Sequence, residues 1–569
     1  MSTAAPAGDW RRLDRRTVLA TGLVTAGVAA GAAVPTTLGL SGRFGFAAAV
    51  TWVLAGAALL IAGSAGADYV RWRRTRYRVG ADRVELHTGL LLVRKRSLAR
   101  ERIRSVDLTA HLLQRVLGLV TVRIGTGEHH GDDSTLELDP VLRAEGERLR
   151  RALLERGPTE ASGSHREGEL ATLDPRWIRY APVSFVAPAL GGAAVGAVLQ
   201  VSDWFGAQGQ VIEWASDRFR DFSLPSVIVL LAVAATLAGV VGALGLWVEM
   251  WWNYRLEREP GGTLRIRRGL LTSRSVSIEE RRLRGVDLVE PLGVRLLGAA
   301  RVDAITTGLA KDDEEQHGDH NTLLPAAPRQ VADGAAAAVL REAASPTAAA
   351  LTPHPPAARG RGRRPGGGGG GGARRGHGPR RAPLKPGRRR APRQGPAGAA
   401  AAVLRAPAAP PAPAPPPPPP AARARRLRRA CWAVGVPVLV QALLGALLTP
   451  VLLWTALGCA AVGLPVGVLL ARDAYRGLGH ALSGGYLVTR SGTLRRSTAA
   501  LERAGVIGWT VRQSYFQRRA GVLNVTATTA AGAGAYTVYD ADASEGLAFA
   551  SEAVPGLLQP FLERAPAGE

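Results

Sequence analysis

The sequence predicts a mixed membrane fold: three apolar helical hairpins, each followed by a small antiparallel β domain that ends in a helix. Three observations predict it. Six apolar stretches arrive in pairs, a polar stretch running from Tyr77 to Gly127 returns twice, and arginines gather at the outer ends of the apolar pairs. An internal repeat of this kind fixes the architecture before any single element is assigned.

The second copy of the repeat begins at Tyr254. It keeps the opening Tyr-Arg, the Gly-Leu-Leu turn (Gly89-Leu90-Leu91, Gly269-Leu270-Leu271) and the step Arg104, Val106, Asp107, Leu108, which returns as Arg284, Val286, Asp287, Leu288. A third, more diverged copy starts near Tyr486. There Gln517, Arg518, Gly521 and Val522 fall in the places of Gln114, Arg115, Gly118 and Leu119, while Trp509 replaces Val106 and Val286, and Ala520 replaces Leu117 and Leu297. Within one copy, Tyr77–Val79, Arg83–His87, Leu91–Leu98, Arg102–Leu108 and Thr135–Leu138 alternate apolar and polar residues, and Gly118–Ile124 adds a β-rich run. Gly80-Ala81-Asp82 and Thr88-Gly89 supply turns. Such strands bury one face and wet the other. Asp139-Pro140 then reads as a cap and first helical position, opening an amphipathic helix that runs to Gly157.

The pattern Tyr-Arg, Gly-Leu-Leu, Ile-Arg-x-Val and Gln-Arg-x-Leu-Gly-Leu followed by a strand resembles the bacterial pleckstrin-homology (PH) domain of YdbS-like membrane proteins. It is most similar to the longer YdbT-like members, which interleave several such domains with membrane helices. The resemblance covers 77–156, 254–344 and 484–566, and implies a PH-like barrel or sandwich closed by a C-terminal helix. It also implies a setting of envelope stress or resistance to membrane-active peptides. It names no ligand, and a fold does not carry a function by itself.

Taken in order, residues 1–16 form a cytoplasmic tail and 17–67 the first hairpin, with spans Thr17–Val34 and Phe44–Ala67 separated by Pro35-Thr36-Thr37. Each is long enough to cross about 30 Å of hydrocarbon. Arg15-Arg16-Thr17-Val18-Leu19 also resembles a twin-arginine export signal, with Ala30-Gly31-Ala32 as its cleavage site. The second span and its basic exit, Arg71 to Arg76, favour an uncleaved hairpin. After a polar linker, Gly157–Gly168, the second hairpin spans 181–252, as Ala181–Val201 and Pro225–Trp252 around a net acidic loop. The positive-inside rule puts that loop outside and both flanking β domains in the cytoplasm, with Trp204, Trp214, Trp247, Trp251 and Trp252 near span ends. The third hairpin, 431–471, has spans Cys431–Leu448 and Val451–Ala471 joined by Thr449-Pro450.

The formal charge of +26 is concentrated: 19 Lys/Arg and no Asp/Glu lie between Ala343 and Ala430. Residues 345–430 collapse into Gly, Pro, Ala and Arg and read as a disordered basic linker. Its expected partner is the anionic inner leaflet. Nucleic-acid binding through 359–429 is the electrostatic alternative, without an accompanying fold or aromatic platform. Cys431 and Cys459 lie in apolar segments and support neither a disulfide nor a zinc site.

Candidate chemistry is sparse. His129 and His130-Gly131-Asp132 recur as His317-Gly318-Asp319-His320, but the spacing matches no closed metal site and Gly-Asp is turn chemistry. No nucleophile motif or phosphate loop is present, so the reading is a non-enzymatic scaffold with no cofactor and no metal. An integral membrane transporter or enzyme would need facing ionisable residues inside the spans, and these hold almost none, Glu249 near one end apart. Candidate lipid- or partner-facing residues are Arg94, Lys95, Arg96, Arg100, Arg102 and Arg104, with Arg267, Arg268, Arg274, Arg281, Arg282 and Arg284 in the second copy. Gln114, Arg115, Gly118, Arg295, Gly298, Gln517, Arg518 and Gly521 are expected to shape a turn between strands, the glycines supplying a conformation other residues avoid.

Overall fold

The computed structural model describes residues 10–80, 82–88, 94–103, 105–125, 135–154, 168–183, 186–307, 321–351 and 420–558. The first unit opens with β1 (Arg11–Arg12) and two long helices, α1 (Arg16–Phe44) and α2 (Phe46–Arg74). It continues through β2 (Arg76–Val79), β3 (Arg83–Thr88), β4 (Arg94–Ala99), β5 (Ser105–Ala110), α3 (Leu112–Val116), β6 (Leu119–Gly125), β7 (Thr135–Leu142) and α4 (Arg143–Leu154). The second unit repeats the plan as β8 (Gly168–Thr172), α5 (Val186–Trp204), α6 (Gln208–Arg218), α7 (Leu224–Trp251), β9 (Arg255–Glu259), β10 (Thr263–Arg268), β11 (Ser273–Glu279), β12 (Leu283–Pro291), α8 (Leu292–Leu296), β13 (Ala299–Thr306), β14 (Thr322–Pro328) and α9 (Arg329–Leu340). The third comprises α10 (Pro420–Leu447), α11 (Pro450–Arg476), β15 (Gly479–Ser483), β16 (Tyr486–Ser491), β17 (Arg495–Glu502), β18 (Val506–Arg512), α12 (Tyr515–Ala520), β19 (Val522–Thr529), β20 (Ala535–Asp542) and α13 (Ala543–Ala553).

Several boundaries differ from those the sequence suggests, each for a local reason. α1 runs through Pro35 and stops at Gly45, whose φ of +78° no helix can continue; a membrane helix tolerates an internal proline. β7 runs through Pro140, so the closing helix starts at Arg143. β7 is the last strand of its sheet, where a missing N–H costs no ladder bond, and Asp139 accepts a hydrogen bond from Thr121 at 2.7 Å instead of capping. α10 begins at Pro420, so Arg423 to Arg429 form a helix base and not the end of a linker. Residues 345–351 also leave the expected linker: Thr347 is buried and bonded to Asp333 at 3.0 Å, and a Cβ on Gly479 would lie 2.9 Å from Leu351. Residues 352–419 lie outside the described residues.

The described residues contain five helices long and apolar enough to cross a membrane: α1, α2, Pro225–Trp251 of α7, Ala422–Leu447 of α10, and α11. Their exposed surfaces are apolar almost throughout, as lipid-facing helices require. α5 is shorter, at 19 residues, and packs against α7. A Cβ on Gly191 would meet the Ala235 carbonyl at 2.1 Å and one on Gly239 the Ala187 carbonyl at 2.0 Å, so only glycine permits the approach. Small residues that let backbones touch are how helices associate in lipid.

Each repeat divides its strands between two sheets. A four-stranded sheet holds β1-β2-β3-β4, and a three-stranded one holds β18-β19-β20. Between them lie a seven-stranded sheet, β7-β6-β5-β11-β10-β9-β8, and a six-stranded one, β14-β13-β12-β17-β16-β15. The middle sheets cross repeat boundaries, so the second half of one repeat and the first half of the next share one hydrogen-bonded ladder. β1 and β8 precede their hairpins in the chain yet pair with strands that follow them. The cores are continuous with this plan: Ala481, Val488 and Ala500 of the third repeat join the cluster centred on Tyr254, Leu288 and Val302 of the second.

Candidate membrane-facing surface and domain junctions

The bases of the long helices grip one end of every β unit. Arg16, at the start of α1, donates to the Leu117 carbonyl at the end of α3 at 2.9 Å, and Arg15 lies 5.3 Å over the Trp72 ring. Glu249, near the end of α7, accepts the backbone N–H groups of Leu271 and Thr272 at 2.9 Å each, holding the β10–β11 turn. Asp473, near the end of α11, pairs with Arg295 of α8 at 2.7 Å and Arg496 at 3.0 Å. Arg425 and Arg426 of α10 pair with buried Asp540, which also accepts from Gln517 of α12 at 3.1 Å. Thus α3, α8, α12 and the β10–β11 turn all lie at the end of the β units nearest the helices.

That end carries an unusual set of exposed apolar side chains. Val116 and Leu296, at the same repeat position, are each 78% exposed, and Tyr515 and Phe516 of α12 are 66% and 63% exposed. Leu271 and Leu494, in equivalent turns, join them. Arg519 lies 5.7 Å over the Tyr515 ring. Apolar tips beside aromatic and basic groups are the chemistry of the bilayer interface.

The two junctions between repeats use one register. β5 pairs with β11 as Leu108↔Ser275, Thr109↔Arg274 and Ala110↔Ser273; β12 pairs with β17 as Leu288↔Thr498, Val289↔Ser497 and Glu290↔Arg496. Leu108 and Leu288 are the same repeat position, as are Ser275 and Thr498. A clasp repeats as well: Arg115 donates to the Leu270 carbonyl, and Arg295 to the equivalent Thr493 carbonyl at 3.2 Å. Each joining strand also carries a half-buried aspartate. Burial pushes the Asp107 carboxyl up to about 7, against Arg123 and a hydrogen bond from the Ser277 backbone. Burial pushes Asp287 up to about 6, against a hydrogen bond from the Ser497 hydroxyl at 2.5 Å.

The first junction adds an ion network. Arg150 of α4 grips Glu259 at 2.7 and 3.0 Å, and Arg265 reaches Glu147 at 2.5 Å and Glu259 at 3.0 Å. Burial works against both carboxylates, but Arg265 and Arg150 outweigh it and hold Glu147 and Glu259 below the usual range. The second junction has Arg284–Glu502 at 2.8 Å.

A model of the bacterial PH domain matches residues 30–157, 184–343 and 435–553, one region for each repeat. The chain belongs to the bacterial PH domain family. It is 23% identical over 275 residues to the transmembrane protein YdbT of Bacillus subtilis (strain 168), an alignment covering 46% of this chain and 55% of that protein. The chain thus aligns with about half the length of that curated relative. No solved structure matches.

Across the bacterial PH domains, the basic residues singled out by sequence separate into different roles. Lys95, Arg267 and Arg274 are exposed, and Arg96 is half-buried. Arg268 lies under the surface, 4.5 Å over the Trp251 ring. Arg100 donates to the Gly80 and Ala152 carbonyls, Arg281 and Arg282 pair with Glu279 at 2.9 and 2.7 Å, and Arg284 serves the second junction. Arg94 sits on β4 and Arg102 in the short turn after it; Arg104 lies outside the described residues. Arg100, Arg102, Arg281 and Arg282 follow the far ends of β4 and β11, away from the helix bases. Gly118, Gly298 and Gly521 have φ of +70°, +69° and +69°, and end α3, α8 and α12. Gln114 and Gln517 close capping boxes on their short helices, while Arg518 carries no ion pair among the described residues.

His129, His130, Asp132, His317, Asp319 and His320 lie outside the described residues. The equivalent third turn, Ala530–Ala535, folds around Gly532 and Gly534. Among the described residues no group of His, Cys, Asp and Glu could hold a metal. Sequence reading missed the cross-repeat pairing and the strands β1 and β8. The exposed Val116, Leu296, Tyr515 and Phe516 were readable as apolar, but only their placement beside helix bases gives them meaning.

Proposed function

We propose that this protein is a non-enzymatic scaffold at the membrane surface. Its three PH-like domains stand on three helical hairpins, on the cytoplasmic side, and act as one rigid row. The observation that carries this reading is the pair of shared sheets: domains joined through ladder hydrogen bonds and half-buried carboxylates cannot swing independently. Supporting it, Glu147, Glu259, Arg150 and Arg265 are engaged with one another across the first junction. The basic residues at the helix-proximal end, Lys95, Arg267 and Arg274, face anionic headgroups in this reading, and the apolar tips seat the row in the interface.

Protein partners would add to the row at β18. This strand is the third-repeat counterpart of β5 and β12, which are both covered, yet its outer edge is unpaired among the described residues and Ile507 is 63% exposed. An open edge accepts an extended segment by strand addition. Envelope stress caused by membrane-active peptides is the setting we assign to such a scaffold, and survival of a deletion strain under such a peptide tests it. Two experiments test the scaffold itself. Reporters fused after residues 156, 344 and 569 should all read cytoplasmic, and a photo-crosslinker at Ile507 should yield a protein adduct in intact membranes that one at Arg281 does not. Reporters on opposite faces, or equal labelling at both sites, would sink the reading.

A further inference from the structure

A small cleft of about 60 Å³ opens at the first junction; its charged lining is Arg115, Arg143, Arg265 and Arg267 with one carboxylate, Glu147, and Ala110 and Gly118 lie in the same wall. It sits between helix bases. A Cβ on Gly118 would lie 3.8 Å from Arg16 Nη1 of α1, and the β10–β11 turn beside it is bonded to Glu249 and Trp252 at the end of α7.

The charge here is unbalanced, and comparison of the two junctions says why. Arg143 and Arg329 occupy the same position, since each opens its closing helix and donates its N–H to the equivalent glycine carbonyl, Gly118 at 2.9 Å and Gly298 at 3.0 Å. Arg329 is neutralised by Glu290 at 2.7 Å and Asp333 at 3.0 Å. At the first junction Ala110 stands where Glu290 stands. Glu147, the counterpart of Asp333, is already held by Arg265 and Arg150. Arg143 therefore has no ion pair among the described residues. The exposed Arg267 across the cleft is in none either: Glu257, Glu147 and Glu259 act on it only from beyond ion-pair distance, and burial and the neighbouring Arg265 outweigh them and hold it below its usual range. Arg115 adds a third positive charge, its known contact being a neutral carbonyl.

We propose that this cleft binds the phosphate of an anionic phospholipid headgroup from the adjoining leaflet, with Arg143 and Arg267 as its charged walls. The inference rests on the β domains lying against the bilayer. Planar guanidinium groups suit phosphate oxygens, and a neutral counterpart at the second junction makes the first a single site per chain.

The test uses the full chain reconstituted in phosphatidylcholine vesicles doped with phosphatidylglycerol, with retained lipid counted by native mass spectrometry. Wild type should retain phosphatidylglycerol in preference to phosphatidylcholine. Arg143→Gln and Arg267→Gln should each retain about five-fold less, as expected for one basic residue near an anionic surface. Ala110→Glu, which restores the acid of the second junction and removes no arginine, should lose retention too, whereas Arg281→Gln should not. Equal retention by all variants would overturn the site while leaving the scaffold intact. Displacement of the lipid by an equal concentration of inorganic phosphate would assign the cleft to free phosphate and also overturn it. Opposite-face reporters, in contrast, would defeat the scaffold whatever the lipid count.

Discussion

Replacing Asp107 by Asn tests the junction chemistry through pH. Asp107 is half-buried where β5 meets β11, one of its carboxyl oxygens is sealed from solvent with no hydrogen-bond partner among the described residues, and burial raises it to about 7. An unfolded aspartate titrates near 3.9. Between these values the folded chain holds a proton that the unfolded chain has lost, so raising the pH through this window favours unfolding. The stability is fully present below about pH 4, declines to about pH 7, and is flat above it, with a total near 4 kcal/mol at most. Asp287 adds a smaller effect that ends near pH 6. An amide keeps the acceptor for the Ser277 N–H and has no charge to desolvate. The Asp107→Asn protein should therefore melt higher than wild type at pH 8, by roughly 5–10 °C, and nearly with it at pH 4.5. Thermal melts of the detergent-solubilised full chain, followed by tryptophan fluorescence across this range, read the difference. Parallel pH profiles for the two proteins would refute the reasoning.

Other perturbations address other parts of the account. Glu259→Gln leaves Arg150 and Arg265 buried with one acceptor weakened, and should cost about 3 kcal/mol, seen as faster amide exchange in β9 and α4. Gly118→Ala places a Cβ at φ +70° and should cost about 1 kcal/mol in melting experiments, with the same cost at Gly298. Gly191→Leu has no room against the Ala235 carbonyl, so α5 and α7 should separate, read as loss of a cysteine cross-link between them. Val116→Asp changes an exposed site and should leave the melting temperature unchanged, yet a spin label at neighbouring Leu112 should become more accessible to aqueous relaxant in vesicles. Unchanged accessibility would argue that α3 never touched the interface.

Much of this fold is legible in the chain because its signals are local. Period-two alternation marks β9 to β13, and long apolar runs mark α1, α2, α7 and α11. The repeat itself gives the family, since Gly118, Gly298 and Gly521 recur with the same left-handed geometry. Boundaries set by tertiary context are not legible. Pro35 reads as a break but is carried within α1, and Pro140 reads as a helix start but is carried within an edge strand. The pairing of β5 with β11 is invisible for a deeper reason: alternation says a strand has a buried face, not which strand lies at its edge. The cationic cleft needs the same information, because Arg143 differs from Arg329 through Ala110 in place of Glu290 and through the capture of Glu147 by Arg265, and both partners come from strands far away in sequence. The exposed basic residues were found by composition, but composition cannot separate Arg284, which joins two domains, from Arg267, which faces a cleft.

The claim that the three repeats share sheets is tested most directly by a disulfide across the first junction. In a chain with Cys431 and Cys459 replaced by Ala, Thr109→Cys and Arg274→Cys fall directly opposite in the β5–β11 register. Mild oxidation in native membranes should link them, and the two domains should stay together after proteolysis between residues 157 and 167. Failure to link, while a control pair at Ile266 and Val276 within β10–β11 oxidises readily, would contradict the shared sheet.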